Sequence, residues 1–204
     1  MIYDISMTIH EQMTVYKNKE EKYPIINQVN SFEKDGNYES QLTMNLHTGT
    51  HIDFPLHMLE NGNNSNTENL KLLIGEAKVF DLTNLSEKIT LDDIKTLNIN
   101  ENDFIIFKTK NSFTETFDYN FVYLAEDAAQ FLANKKIRGV GIDALGIERA
   151  QKEHPTHKIL LSSDIIILEG LRLKEVPEGI YEFFCLPLKI ANVEALPVRA
   201  ILIK

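Results

Sequence analysis

Eleven residues constrain this chain more than any other stretch: His47-Thr48-Gly49-Thr50-His51-Ile52-Asp53-Phe54-Pro55-Leu56-His57. Three of the six histidines fall here. His47, His51, Asp53 and His57 follow at intervals of four, two and four residues, all even. In an extended chain side chains alternate faces, so all four would project to one side. A helix would keep His47 beside His51 and swing Asp53 and His57 away. Gly49 and Pro55 also disfavour a helix. The extended reading gathers four polar groups at one place. Neutral imidazole and ionised carboxylate suit zinc and similar divalent ions. Burying them together without a cation would leave costly unsatisfied atoms. Metal binding is the expectation; a polar loop of solvated histidines is the competing reading.

The 204 residues have room for one domain, residues 1–204, with a sizeable core. Composition is that of an ordinary globular chain, 43% apolar and 25% charged. Lys and Arg number 21 against 30 Asp and Glu, a formal net charge of −9. That disfavours nucleic acid and anionic membranes, which select a basic face, and says nothing positive about a substrate; the expected partner, a small-molecule substrate, follows from the family resemblance given below. The single cysteine, Cys185, excludes an internal disulfide. Its apolar setting, Phe183-Phe184-Cys185-Leu186, reads as a buried thiol and not a nucleophile. Met1-Ile2-Tyr3-Asp4 does not read as a signal peptide, and the apolar run Ile165 to Leu168 is too short to cross a bilayer. A cytoplasmic enzyme is the expectation.

Alternation predicts strands over 2–9, 25–32 and 38–46, the last leading straight into the histidine stretch. Lys17 to Lys22 reads as a solvated charged loop, and the Asn-rich 60–69 as turns bordering the site or as a linker. Further strands are expected at 77–82, 104–107, 137–142, 165–168, 188–190 and 198–203. Thr90 is a candidate N-cap before Leu91-Asp92-Asp93. Leu124, Ala128, Phe131 and Leu132 predict a helix over 124–135. Strands outnumber helices in mixed order, which predicts one α/β or α+β domain.

Two more histidines, His154 and His157, precede Glu169. Glu169 closes the run Ile165-Ile166-Ile167-Leu168. A carboxylate ending a buried strand is where an α/β protein places its chemistry; simple exposure to water is the alternative. From the residues alone, His157 fits a surface position at a helix start, and His154 before Pro155 reads as surface.

The stretch His47 to His57 resembles the His-x-Gly-Thr-His-x-Asp-x-Pro-x-His signature of the cyclase family of metal-dependent hydrolases, which includes bacterial kynurenine formamidases. Asp4-Ile5-Ser6, Gly141-Ile142-Asp143-Ala144, the segment from His157 to Glu169-Gly170-Leu171, Leu186-Pro187-Leu188-Lys189-Ile190 and Pro197-Val198-Arg199-Ala200 also resemble family segments. The likeness runs from Asp4 to the C-terminus and is weakest in the middle third. It implies a swivelling β/β/α fold, α/β in class, with a mixed sheet and flanking helices. It implies that His47, His51 and Asp53 hold one ion, and that Asp53 bridges to a second held by His157 and Glu169. The ions would be zinc, two per subunit, or manganese. His57 would stay free of metal and move protons. A homodimer or larger homo-oligomer is implied, as is N-formyl-L-kynurenine as substrate.

The likeness has gaps. Family formamidases carry a tryptophan in the N-terminal segment, and this chain has none; Tyr16, in Tyr16-Lys17-Asn18-Lys19, is the nearest equivalent for stacking on substrate. The turn before Val198-Arg199-Ala200 is altered to Glu194-Ala195-Leu196-Pro197. The metal residues match while the specificity residues do not.

The chemistry of these residue types points the same way. A dication lowers the pKa of water and polarises a carbonyl. An amide leaving group needs a proton, which a histidine such as His57 can move near neutrality. The expected reaction is hydrolysis of an amide. Opening of a cyclic amide or lactone, as in isatin-type hydrolases, is the alternative within the class. A metal-binding domain without turnover is the alternative outside it, disfavoured because a structural site needs no spare proton-transfer group. No Gly-x-Ser-x-Gly is present.

Overall fold

A computed structural model describes residues 1–204. The strands are β1 (Ile2–Asp4), β2 (Ile25–Asn30), β3 (Glu39–Thr43), β4 (His51–Asp53), β5 (Ile74–Asp81), β6 (Lys88–Ile89), β7 (Phe104–Lys108), β8 (Tyr123–Leu124), β9 (Gly139–Ile142), β10 (Ile166–Glu169), β11 (Gly179–Pro187) and β12 (Ala195–Ile203). The α-helices are α1 (Phe32–Asp35), α2 (Leu70–Leu73), α3 (Leu91–Ile94), α4 (Glu126–Asn134) and α5 (Pro155–Ser162). This is the mixed α/β arrangement that the pattern of elements predicts.

Phe104-Ile105-Ile106-Phe107 has no polar face, so it is stable only between two apolar layers. The sheet supplies both. β5, β7, β9 and β10 run parallel. Antiparallel pairings of β10 with β4, β4 with β12, β12 with β11 and β11 with β5 close these strands into a ring. β1 lies along β12 beyond its contact with β4. Inside the ring Phe104, Ile106, Tyr181, Phe183, Leu202, Ile52 and Leu168 form one core. Outside it Ile105, Phe107, Val140, Ile142 and Ile167 pack against Ala128, Ala129 and Leu132 of α4 and Leu160 and Leu161 of α5. Each large apolar side chain so buried stabilises by roughly 1.5–3 kcal/mol.

This alternation decides where the polar groups face. Ile52 and Leu168 point inward, so their neighbours His51, Asp53 and Glu169 face out toward the helices. Glu169 is paired with His51 across the β10–β4 ladder. Just beyond, Gly170 and Gly49 both have positive φ, and a Cβ on Gly170 would stand 2.5 Å from the Gly49 carbonyl oxygen. Thr50 Oγ1 donates to the Gly170 carbonyl at 2.7 Å. The close approach of two glycines thus presses the histidine turn onto the end of β10.

Several expectations need correction. Residues 47–57 are not one extended run: only His51–Asp53 is strand, His47 sits in a turn, and Pro55–His57 is a single 3-10 turn. Even parity therefore does not account for the convergence of the four side chains. The strand expected over 2–9 ends at Asp4, and the one expected over 38–46 ends at Thr43, short of the histidine turn. β3 pairs only with β2, in a two-stranded sheet exposed almost throughout. Leu188 to Ile190 is not strand; the C-terminal ladder is instead the long β11 and β12 pair. Leu124 belongs to β8, and α4 begins two residues later. Thr90 and Asp93 form a capping box on α3. No helix is long and apolar enough to cross a membrane.

Candidate metal centre

His51, Asp53 and Glu169 lie together on the outer face of the ring, all buried. His47 is delivered by the turn before β4 and His57 by the 3-10 turn after it. His157 comes from the first turn of α5 and is only 6% exposed, so it is no surface residue. Pro155 starts that helix without needing a hydrogen-bond partner for its nitrogen. His154 stays at the surface, its side chain 50% exposed.

Both carboxylates are divided between two groups of imidazoles. Asp53 Oδ1 lies 3.1 Å from His47 Nδ1 and 3.5 Å from His51 Nε2, while Oδ2 lies 3.8 Å from His157 Nε2. Glu169 Oε2 lies 3.4 Å from His51 Nε2, and Oε1 lies 3.5 Å from His157 Nε2. The Asp53 side chain is fully buried, yet neither oxygen accepts a hydrogen bond, because the nearby imidazoles are out of alignment for one. Buried oxygens without donors are rare and costly. Their lone pairs, with imidazole nitrogens converging on them, form a donor set that suits a divalent metal ion.

The far nitrogens of His51 and His157 are hydrogen-bonded to oxygens, and that of His47 faces one. His51 Nδ1 is 2.9 Å from the Gly49 carbonyl, His157 Nδ1 is 2.6 Å from Glu148 Oε2, and His47 Nε2 is 3.3 Å from Glu194 Oε1. Acceptors of this kind fix the tautomer and turn the opposite nitrogen toward the centre, where His47 Nδ1 and His51 Nε2 lie 3.2 Å apart. Sequence reasoning missed Glu148 and Glu194. Nothing in the spacing around Glu148 marks it. Glu194 did carry a signal, since it stands in the turn that departs from the family pattern.

Burial and charge shift these groups strongly. Burial works against charge on Asp53, but the imidazoles of His47 and His51 hold it well below the usual carboxylate range. Burial and the Asp53 charge push Glu169 up, yet His157 and His51 bring its net shift down. His157 is lowered by burial but raised more by Glu148 and Glu169, to about 10. Burial also lowers His51, and Asp53 and Glu169 more than reverse it. His57 moves the other way: burial is its main influence and takes it below the ordinary histidine value.

His57 stacks against His47, ring centroids 4.2 Å apart, and lies 5.7 Å from the His157 ring. A cavity of about 240 Å³ opens over these rings, walled by Tyr16, Met58 and Leu145 with Lys19 and Lys22. Tyr16 packs edge-on against Phe117 and Phe121. Burial and then the Glu169 and Glu148 charges raise its phenol pKa, so it remains a neutral donor. Asp143, from the segment matching Gly-x-Asp-Ala, does not join the cluster. It accepts hydrogen bonds from Thr109 and Ser112 and ties two loops together. Cys185 is buried in the inner core, which raises its thiol pKa. The Asn-rich stretch caps its own turns through Asn64 and Asn69 and borders a different cavity.

Residues 3–149 match the sequence profile of the family described as "Putative cyclase". A kynurenine formamidase from Geobacillus thermodenitrificans is 32% identical over 203 residues, covering 98% of this chain and 96% of its own length. Cyclase-like protein 2 of rice, Oryza sativa, is 37% identical over 177 residues, or 81% of this chain, and the match spans only 65% of the rice protein. A solved structure described as a potential metal-dependent hydrolase with cyclase activity is 53% identical, with a TM-score of 0.92 over 99% of this chain and 96% of that one. On sequence and on fold, this chain belongs to the cyclase family.

Proposed function

We propose that this chain is a metal-dependent hydrolase that cleaves a carbon–nitrogen amide bond, with N-formyl-L-kynurenine as substrate and L-kynurenine and formate as products. The observation that carries this reading is the pair of carboxylates, Asp53 and Glu169, each split between the His47/His51 side and His157, with Asp53 lacking any hydrogen bond. His47, His51 and Asp53 would hold one ion; His157, Glu169 and the second oxygen of Asp53 would hold another, zinc being the first choice and manganese the second. Such ions supply an acidified water and a polarised carbonyl. Two further compact groups exist: Glu148, His154 and His157 are less suited to an ion, because Glu148 is already engaged by His157 Nδ1 and two backbone N–H groups, whereas His57 also stands within ligating reach of His47 and Asp53 and is assigned to proton transfer here for its position on the cavity.

His57 is the proton carrier in this reading. Its lowered pKa leaves it neutral at pH 7, able to take a proton from the attacking water. It returns that proton to the departing nitrogen as the C–N bond breaks. A metal-binding domain without turnover would have no use for a neutral imidazole stacked beside the ligands. Tyr16, on the cavity wall, is the candidate to face the aromatic ring of the substrate. The kynurenine formamidase relative, matched over nearly its whole length, supports the substrate. The lack of any tryptophan favours a second reading, a cyclic amide or lactone opened by the same apparatus.

A homo-oligomer fits the exposed hairpin of β2 and β3. It presents Ile25, Ile26, Val29 and Leu42 to solvent, and a two-stranded sheet is marginal in water by itself. The test of function is spectrophotometric. Protein reconstituted with zinc or manganese is assayed on N-formylkynurenine and on a panel of cyclic amides and lactones. Turnover of N-formylkynurenine well above the panel supports the formamidase reading; preference for a ring substrate selects the second; no turnover of any of them refutes both.

A further inference from the structure

We infer that Lys22 is a specificity residue that recognises the substrate through its carboxylate. The inference rests on the hydrolase reading above and assigns it a substrate-recognising side chain.

The chain as a whole carries −9, yet two lysines wall the cavity over the candidate metal centre. Their situations differ. Lys19 is exposed and lies 3.6 Å from the Glu21 carboxylate. Lys22 is half-buried and belongs to no ion pair; its one side-chain hydrogen bond runs 3.3 Å to Asn45 Oδ1. That oxygen already accepts the His47 backbone N–H at 3.0 Å. An ammonium has three donors, so two find no partner in the protein. Burial lowers the Lys22 pKa, with the Glu169 charge the strongest pull against it. A half-buried cation without a carboxylate carries an uncompensated desolvation cost.

Among the charges that support the Lys22 ammonium, Glu169, Asp53 and Glu21, the first two would not compensate it once the centre is loaded. A single dication held there would cancel both. Lys22 would then stand over a neutralised centre with its only side-chain hydrogen bond going to a neutral amide. A carboxylate on the substrate satisfies its unused donors through charge-assisted hydrogen bonds. Tyr16, Met58 and Leu145 offer the remaining wall to an apolar or aromatic body. The competing account is structural: the Lys22 carbonyl accepts from Thr48 Oγ1 at 2.7 Å, so the residue also ties down the histidine turn. A side-chain substitution keeps that backbone contact.

The experiment compares two formamides on metal-loaded protein: an ortho-formamidophenyl ketone with a carboxylate tail, and the same ketone with a methyl group in place of the tail. Lys22→Met should lower kcat/KM for the carboxylate substrate by about 10- to 100-fold, the scale of a lost charge-assisted hydrogen bond, chiefly through KM. The neutral ketone and the bound metal should change less than about twofold, and Lys22→Arg should restore part of the loss. Equal losses on both substrates, or loss of metal, would show that Lys22 only holds the turn and would overturn the inference. Unchanged kinetics on both would overturn it as well. Calorimetric binding of the deformylated carboxylate product separates this inference from the hydrolase reading. If the wild type turns over neither formamide but binds that anion at least tenfold better than Lys22→Met, the recognition role stands and the hydrolysis fails. If neither protein binds it, the recognition role fails too.

Discussion

Glu148 grips His157 from behind: its Oε2 lies 2.6 Å from Nδ1, and the same carboxylate accepts the backbone N–H groups of Thr156 and His157. The first turn of α5 and the imbedded imidazole are therefore oriented by one side chain with no exposure of its own. Glu148→Gln keeps the shape and removes the charge. It is expected to weaken metal binding by about 10- to 100-fold while the far-ultraviolet circular dichroism stays unchanged. Competition against a chromogenic chelator measures this; undiminished affinity would leave Glu148 as a mere helix anchor.

In the proposed centre metal and protons would compete at His157. Without metal its folded-state pKa is raised to about 10, whereas a ligating imidazole must be neutral. Loading the metal-free protein at pH 7 should therefore release protons, read by calorimetry in buffers of different ionisation enthalpy. The sign for stability follows from the raised value. The protonated form stabilises the metal-free fold fully below the unfolded value of about 6.5, and that contribution is lost as pH rises toward about 10. Thermal unfolding of metal-free protein across this window should show a falling midpoint, and the loaded protein should show less of it.

His57 has a depressed pKa, caused first by burial. Its neutral form is the acceptor in the proposed reaction, and it is lost as pH falls through the folded value. The acid limb of kcat/KM should lie below the ordinary histidine value of about 6.5. His57→Ala should retain metal, lower kcat by about 10²- to 10⁴-fold and flatten that limb. A variant with full activity, or an unaltered pH profile, would remove His57 from the proton path.

Gly170→Ala tests the approach that brings the two halves of the centre together. The site has φ +71°, and the added Cβ would meet the Gly49 carbonyl at 2.5 Å, a rigid backbone atom. The expected cost is at least about 1–3 kcal/mol from backbone strain alone, read as a lowered denaturant midpoint. Metal affinity should fall with it, because Glu169 is the residue before this glycine.

The polar groups of the candidate centre were legible in the chain. His47, His51, Asp53 and His57 stand close in sequence, so their association needs little from the fold, even though a glycine turn and a proline-initiated 3-10 turn produce it and not strand parity. Local apolar pattern likewise revealed β7, β9, β10 and α4, whose periods are set by contacts on one or two faces. The failures are long-range. Closure of β4 against both β10 and β12 joins segments more than a hundred residues apart, and only that closure sets Glu169 across from His51 and Glu194 behind His47. His157 looked like a surface residue because the groups that cover it, Glu148 and the sheet residues Asp53 and Glu169, come from other parts of the chain. By itself the sequence determined which chemical groups are present and which lie near one another along the chain. Tertiary structure alone decided which oxygens orient them and which charges stay unpaired, because those depend on distances that no local period encodes.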